Sequence, residues 1–102
     1  MKPTYEQTEN KIIAWATARK IIQNGTSTSQ LLKAISEMGE LADAHAKRDE
    51  AGIIDAVGDI LVCLINYCAI EEIKIAECMD SAYEQIKDRK GYLTPEGTFV
   101  KE

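Results

Sequence analysis

Pro3 and Pro95 are the only prolines in the chain, so everything between them lacks the residue that most firmly breaks a helix. The remaining punctuation is short, and the predicted architecture is all-α. Thr4 followed by Gln7 is a capping-box signature, and Ile12, Ile13, Ala16, Ile21 and Ile22 recur at helical spacing up to Asn24-Gly25, which predicts a first helix. The Thr26 to Ser29 cluster caps a second helix, striped by Leu31, Leu32, Ile35, Met38, Leu41 and Ala42, that fades near Lys47-Arg48. A third runs from about Glu50 to Ala69. A fourth, marked by Ile75, Ala76, Met79, Ala82, Tyr83 and Ile86, ends near Lys90-Gly91. Beyond it the residues from Tyr92 through Pro95-Glu96-Gly97 to Val100 read as a small hairpin or an extended tail.

With 102 residues the chain is expected to be a single domain, 1–102. A formal net charge of -5 argues against a partner held by generic phosphate contacts, so no nucleic acid is expected. The longest apolar run, Ile60 to Ile65, is far short of the roughly 18 residues of a membrane span. The first residues have no apolar leader segment, so no membrane partner and a cytoplasmic location are expected. That same run makes the third helix apolar on nearly every side, which three amphipathic neighbours in a small chain can hardly cover. The expected protomer is therefore a four-helix bundle type with a short C-terminal hairpin or tail. It is expected to assemble as a homodimer or homotetramer with the third helix at or near the interface. Cys63, Cys68 and Cys78 form no metal-binding spacing and read as reduced core thiols; the single His45 reads as a surface or packing residue.

The informative residues are polar ones that share a helix face with apolar ones. At about 100° per residue, Gln30, Lys33, Glu37 and Glu40 fall within roughly 80° on the second helix. Asp55, Asp59 and Asn66 fall within roughly 40° on the third. A carboxylate without a partner in so apolar a helix is costly. From Glu37 to Asp59 there are seven acids against only Lys47 and Arg48, so a divalent cation is the economical partner. Oxygen-only ligands favour Mg²⁺ or Mn²⁺, which commonly engage substrate phosphates as well. Spacing alone equally admits the plainer reading, with Glu37 and Glu40 solvated and Asp55 and Asp59 capping or pairing inside the bundle.

Glu37-Met38-Gly39-Glu40-Leu41 followed by Gly58-Asp59-Ile60-Leu61-Val62 resembles the paired acidic signature of MazG-like nucleotide pyrophosphohydrolases. In that signature an E-x-x-E on one helix is followed by an E-x-x-D on the next. The likeness extends upstream through Trp15-Ala16, Arg19 and Asn24-Gly25-Thr26, and downstream through Ile86 to Gly91 and Gly97 to Glu102. These stretches resemble the small single-domain members found in phages. One position departs from the pattern: the first acid of the second pair is Ala56 here, with Asp55 one place earlier.

The resemblance implies an oligomeric all-α enzyme that cleaves a nucleoside triphosphate between the α and β phosphates with Mg²⁺, in nucleotide house-cleaning or pool adjustment. It implies Glu37, Glu40 and Asp59 as metal ligands, Asp55 as a possible fourth donor, and Glu37 as the group that orients or deprotonates the attacking water. Lys33 could touch a phosphate, or be a solvated lysine. Lys87 and Arg89, with Lys90, could close over the phosphates, or serve as ordinary partners of a helix C-terminus. Asn66 could bond the sugar or base, or be a structural amide; Trp15 could stack on a base, or belong to the core. Ala56 also keeps open a catalytically weak bundle that binds nucleotide or protein as a regulator. A carboxylate-bridged di-iron protein needs a Glu-x-x-His that His45 does not provide.

Overall fold

The helix starts are fixed by side chains that take up otherwise unpaired amides. Thr4 Oγ1 accepts from the Gln7 amide at 3.1 Å while the Gln7 side chain accepts from the Thr4 amide at 2.8 Å. Thr26 Oγ1 accepts from Ser29 at 3.1 Å, and Asp49 Oδ1 from Gly52 at 3.1 Å. The computed structural model describes residues 1–102. It contains helices α1 (Tyr5–Ala18), α2 (Ile21–Asn24), α3 (Ser27–Ala46), α4 (Glu50–Ile70) and α5 (Ile75–Ile86), then strands β1 (Gly91–Leu93) and β2 (Phe99–Lys101).

Two boundaries differ from the sequence expectation. The first helix is broken in two: the Arg19 and Lys20 amides fold back on the Ala16 and Thr17 carbonyls, and Lys20 turns left-handed at φ 65° before α2 begins. A Lys carries no local sign of that conformation, so the apolar spacing runs across the break unchanged. Gly25 ends α2 because a β-carbon there would collide with the Ile21 carbonyl. The last helix stops at Ile86, not near Lys90, which leaves Arg89 and Lys90 beyond it. From Gly91 onward the chain forms a hairpin, with antiparallel pairing of Tyr92 with Val100 and a turn at Gly97, φ 89°.

The Lys47–Asp49 connection is so short that α3 and α4 must run antiparallel. Arg48 takes a left-handed conformation, and the Asp49 amide bonds the Ala44 carbonyl at 2.9 Å. The pairing of α3 with α4 dominates the fold; α4 also carries α1, α2 and α5, whereas α3 packs against α4 alone. The four long helices expected are present, with α2 as a fifth, but they do not close around one centre.

The buried residues are small: Ala16, Ala34, Ala44, Ala56, Cys63, Cys68, one larger apolar side chain in Ile65, and the polar Glu9 and Asn66. Cys78, expected in the core, is exposed on α5, at the edge of the contact with α4, where its thiol still faces that of Cys68. Leu31, Leu32, Ile35 and Met38 on α3, and Ile54, Val57 and Leu61 on α4, stay outside. The accessible surface is 7876 Å², against about 5,700 Å² for a compact monomer of this mass. The radius of gyration, 16.2 Å, likewise exceeds the roughly 13 Å of a compact chain this long. By length and composition α4 could also cross a membrane, since its Gly, Ala and Cys residues prolong the apolar character beyond Ile60–Ile65.

The Asp49 cap gives a direct test of the α3–α4 corner. Asp49→Ala removes the acceptor for the Gly52 amide and is expected to lower stability by about 1 kcal/mol. That is a fall in Tm of roughly 4–8 °C for a domain of this size. Thermal unfolding beside Asp49→Asn, which retains an acceptor, checks it.

Candidate active site

The α3–α4 seam brings acids from two helices together. Glu37 and Glu40 lie one turn apart on α3, and Asp59 lies on α4. Ala34, Ala44, Ala56 and Cys63 are buried where these helices meet, and small side chains let the backbones approach. Glu37 is half-buried, and its Oε2 is buried without any hydrogen-bond partner. Its carboxyl is held above the ordinary carboxylate range. The Glu40 side chain within hydrogen-bonding reach contributes most, followed by burial and by the negative charges of Glu40 and Asp59, while Lys33 pulls the other way. Cys63 shares this environment: burial pushes its thiol up, and Lys33, Glu37 and Asp59 all act on it.

Lys33, Glu37, Glu40 and Asp59 thus form one electrostatic group. Toward the α3–α4 turn it opens into a cleft of about 290 Å³ whose walls include Glu40, Asp43, Lys47, Asp49, Asp55 and Ala56. Ala56 is 4% exposed and sits in the wall of this cleft, with Asp55 beside it. Asp43 was not singled out from the sequence, although it continues the three-residue spacing of Glu37 and Glu40 along one helix face.

The donor set suits a hard divalent cation, and the orphaned Glu37 oxygen is an acceptor without a donor. No three of the His, Cys, Asp and Glu side chains converge closely enough to cage an ion by themselves. Mg²⁺ does not require such a cage: it keeps several waters and is typically held by one or two carboxylates together with substrate phosphates. The residues fit an ion that arrives with a polyphosphate.

Asn66 lies two turns along α4 from Asp59, 3% exposed, with its Oδ1 buried and unpartnered. The other residues singled out from the sequence lie elsewhere. Trp15 is half-exposed on α1, its ring stacked by the Arg19 guanidinium at 4.4 Å, and α1 does not pack against α3. Lys87 pairs with Glu84 at 2.7 Å just past the end of α5, which makes no contact with α3, and Arg89 lies in the turn that follows. A single protomer does not bring these cations to the carboxylates.

The model of the MazG nucleotide pyrophosphohydrolase domain matches residues 25–94, which contain α3, α4, α5 and the first strand. The chain is also 32% identical over 60 residues to an 18.2 kDa protein of the rep-hol intergenic region of Haemophilus phage HP1. The match takes in 59% of this chain and spans 37% of that protein's length. No solved structure matches the chain. The acidic seam falls inside the matched region, and the chain belongs to the MazG nucleotide pyrophosphohydrolase family.

Proposed function

We propose that the protein is an Mg²⁺-dependent nucleoside triphosphate pyrophosphohydrolase that releases a nucleoside monophosphate and pyrophosphate. The observation that carries this reading is the orphaned, half-buried Glu37 oxygen set among Glu40, Asp59 and Lys33 inside the MazG-matched region. Glu37, Glu40 and Asp59 would supply oxygen donors to the cation together with substrate phosphates, with Asp55 as a fourth donor directly or through water. A divalent cation there would supply positive charge to offset the repulsion between a polyanionic substrate and an acidic site. Glu37 orients a water toward the α-phosphorus and takes its proton as the new P–O bond forms; the α–β bridge oxygen leaves with pyrophosphate. Lys33 lies close enough to this group to face a phosphate. The Asn66 amide oxygen accepts from a sugar hydroxyl or a base N–H, which gives it the donor the fold withholds.

The proposed unit is a homo-oligomer. The surface excess of about 2,100 Å² per protomer over a compact monomer lies in the range that obligate interfaces bury. The exposed stripes Leu31, Ile35 and Met38 on α3, and Ile54, Val57 and Leu61 on α4, are what a second copy would cover. In this assembly Lys87 and Arg89 reach the triphosphate held by a neighbouring copy. The buried Ala56 favours one other reading, a regulatory bundle that binds nucleotide or protein without turnover.

Pyrophosphate release from a panel of triphosphates with Mg²⁺ separates the two readings: turnover of at least one supports the hydrolase, and none at high enzyme concentration supports the regulator. Mg²⁺ should also raise the Tm of the wild type and raise that of Glu40→Gln much less; equal shifts would count against the site.

Asp55→Asn and Asp59→Asn compare the two carboxylates of α4. If Asp55 stands in for the acid missing at Ala56, both changes lower kcat by about tenfold or more, roughly 1.4 kcal/mol in the barrier. If Asp55 is only a charge near the helix start, only the Asp59 change harms turnover.

Light scattering at micromolar concentration should show no dominant species of 11.3 kDa. Ile35→Asp, placed in the exposed stripe, should shift the population toward monomer.

A further inference from the structure

Glu9 is the deepest carboxyl group in the molecule, 2% exposed, and it lies on α1, away from the acidic seam. Its Oε2 accepts from the Ile75 amide at 2.8 Å. Ile75 is the first residue of α5, and α5 has no cap of its own: Lys74 precedes it and makes no side-chain cap bond. The Lys74 ammonium instead donates to Asn10 Oδ1, on the residue after Glu9. These two are the only side-chain hydrogen bonds that join distant parts of the chain. Every other one, and the Lys87–Glu84 ion pair, connects residues no more than six positions apart. The apolar face of α5, with Met79, Tyr83 and Ile86, is at least half exposed, so burial within the protomer does little to fix its direction.

We infer that Glu9 is a positioning residue: by capping α5 from α1 it sets the direction in which α5 leaves the body, and with it the place of Lys87 and Arg89. The inference rests on the reading that these two cations engage the triphosphate. A carboxyl group at a helix N-terminus is favoured by the exposed amides and by the helix dipole. Its other oxygen, Oε1, is buried with no partner, so one hydrogen bond carries this capping. Small errors at the pin grow along the helix. From Ile75 to the end of α5 at Ile86 is roughly 16 Å at 1.5 Å per residue, so a tilt of about 10° moves the segment that carries Lys87 and Arg89 by about 3 Å. A displacement of that size takes a cation out of reach of a phosphate oxygen.

The test uses the full chain and three variants. Glu9→Ala removes the acceptor. Glu9→Gln keeps one through its amide oxygen. Ile75→Pro removes the donor at a first helical position, where proline is tolerated, and Lys74 at φ -107°, ψ 136° already has the backbone that a following proline requires. Hydrogen exchange of the α5 amides should speed up in Glu9→Ala and Ile75→Pro and stay near wild type in Glu9→Gln. In steady state with the best triphosphate, Glu9→Ala and Ile75→Pro should raise KM about three- to tenfold with kcat nearly retained, because ground-state and transition-state binding weaken together. Glu9→Gln should restore KM.

Unchanged α5 exchange in Glu9→Ala overturns the inference. So does a raised KM in Lys87→Gln and Arg89→Gln with none in Glu9→Ala, a result that leaves the hydrolase reading intact. If the wild type turns over no triphosphate, that reading fails and the exchange measurement alone decides whether Glu9 holds α5. Should Glu9→Ala not fold, Ile75→Pro and Glu9→Gln give the same contrast.

Discussion

The close pairing of α3 and α4 through small side chains is the constraint on which the rest of the protein depends. Ala34, Ala44, Ala56 and Cys63 let the two backbones approach, and that approach sets Glu37 and Glu40 beside Asp59. The side chains fully buried along it are small. Leucine, isoleucine and methionine residues that would fill the core of a closed bundle are displaced to the outer faces of both helices. Thus one packing arrangement assembles the carboxylates and also leaves the outer apolar area uncovered within the protomer.

Seating acids in this seam works against stability in the absence of a cation. Glu37 has a buried oxygen without a donor, and its neighbours Glu40 and Asp59 raise its carboxyl rather than relieve it. Lys33 is the only positive charge that acts on it there. On the proposed reading a bound cation would relieve this repulsion, and the free energy of that relief would appear as affinity. The small, alanine-rich contact has little burial with which to offset that repulsion.

The parts of the fold legible in the sequence were those set by local chemistry. Thr4, Thr26 and the spacing of apolar residues placed the starts of α1 and α3 because a cap acts within three residues. The left-handed Lys20 and the stop at Ile86 were not legible, since neither lysine nor the run Lys87-Asp88-Arg89-Lys90 carries a breaking residue. In the site, angular arithmetic grouped Glu37 with Glu40 on one helix and Asp55 with Asp59 on the next, and the resemblance to the paired acidic signature joined the two stripes. The arithmetic could not say which face of α3 meets α4, and so it missed Asp43 in the shared cleft. Nor could it show that Trp15, Lys87 and Arg89 lie on elements that never touch α3. The Glu9–Ile75 bond was beyond reach for the same reason: it joins residues that only the tertiary fold makes neighbours.

Ala56 stands where the paired acidic signature carries its first acid on α4. Its side chain is buried at the cleft wall, where a longer carboxylate would have to project into the space that Glu40 and Asp55 border. With alanine there, that space is open, and Asp55, about 100° around the helix from Ala56, borders it from the exposed side. An acid at Ala56 would sit nearer the helix contact and lose more of its hydration, whereas one at Asp55 keeps water while still facing the cleft. On the proposed reading, a carboxylate moved by one residue would trade rigid direct ligation for a solvated donor acting through a bound water. Mg²⁺ accommodates that change better than most cations because it retains part of its water shell.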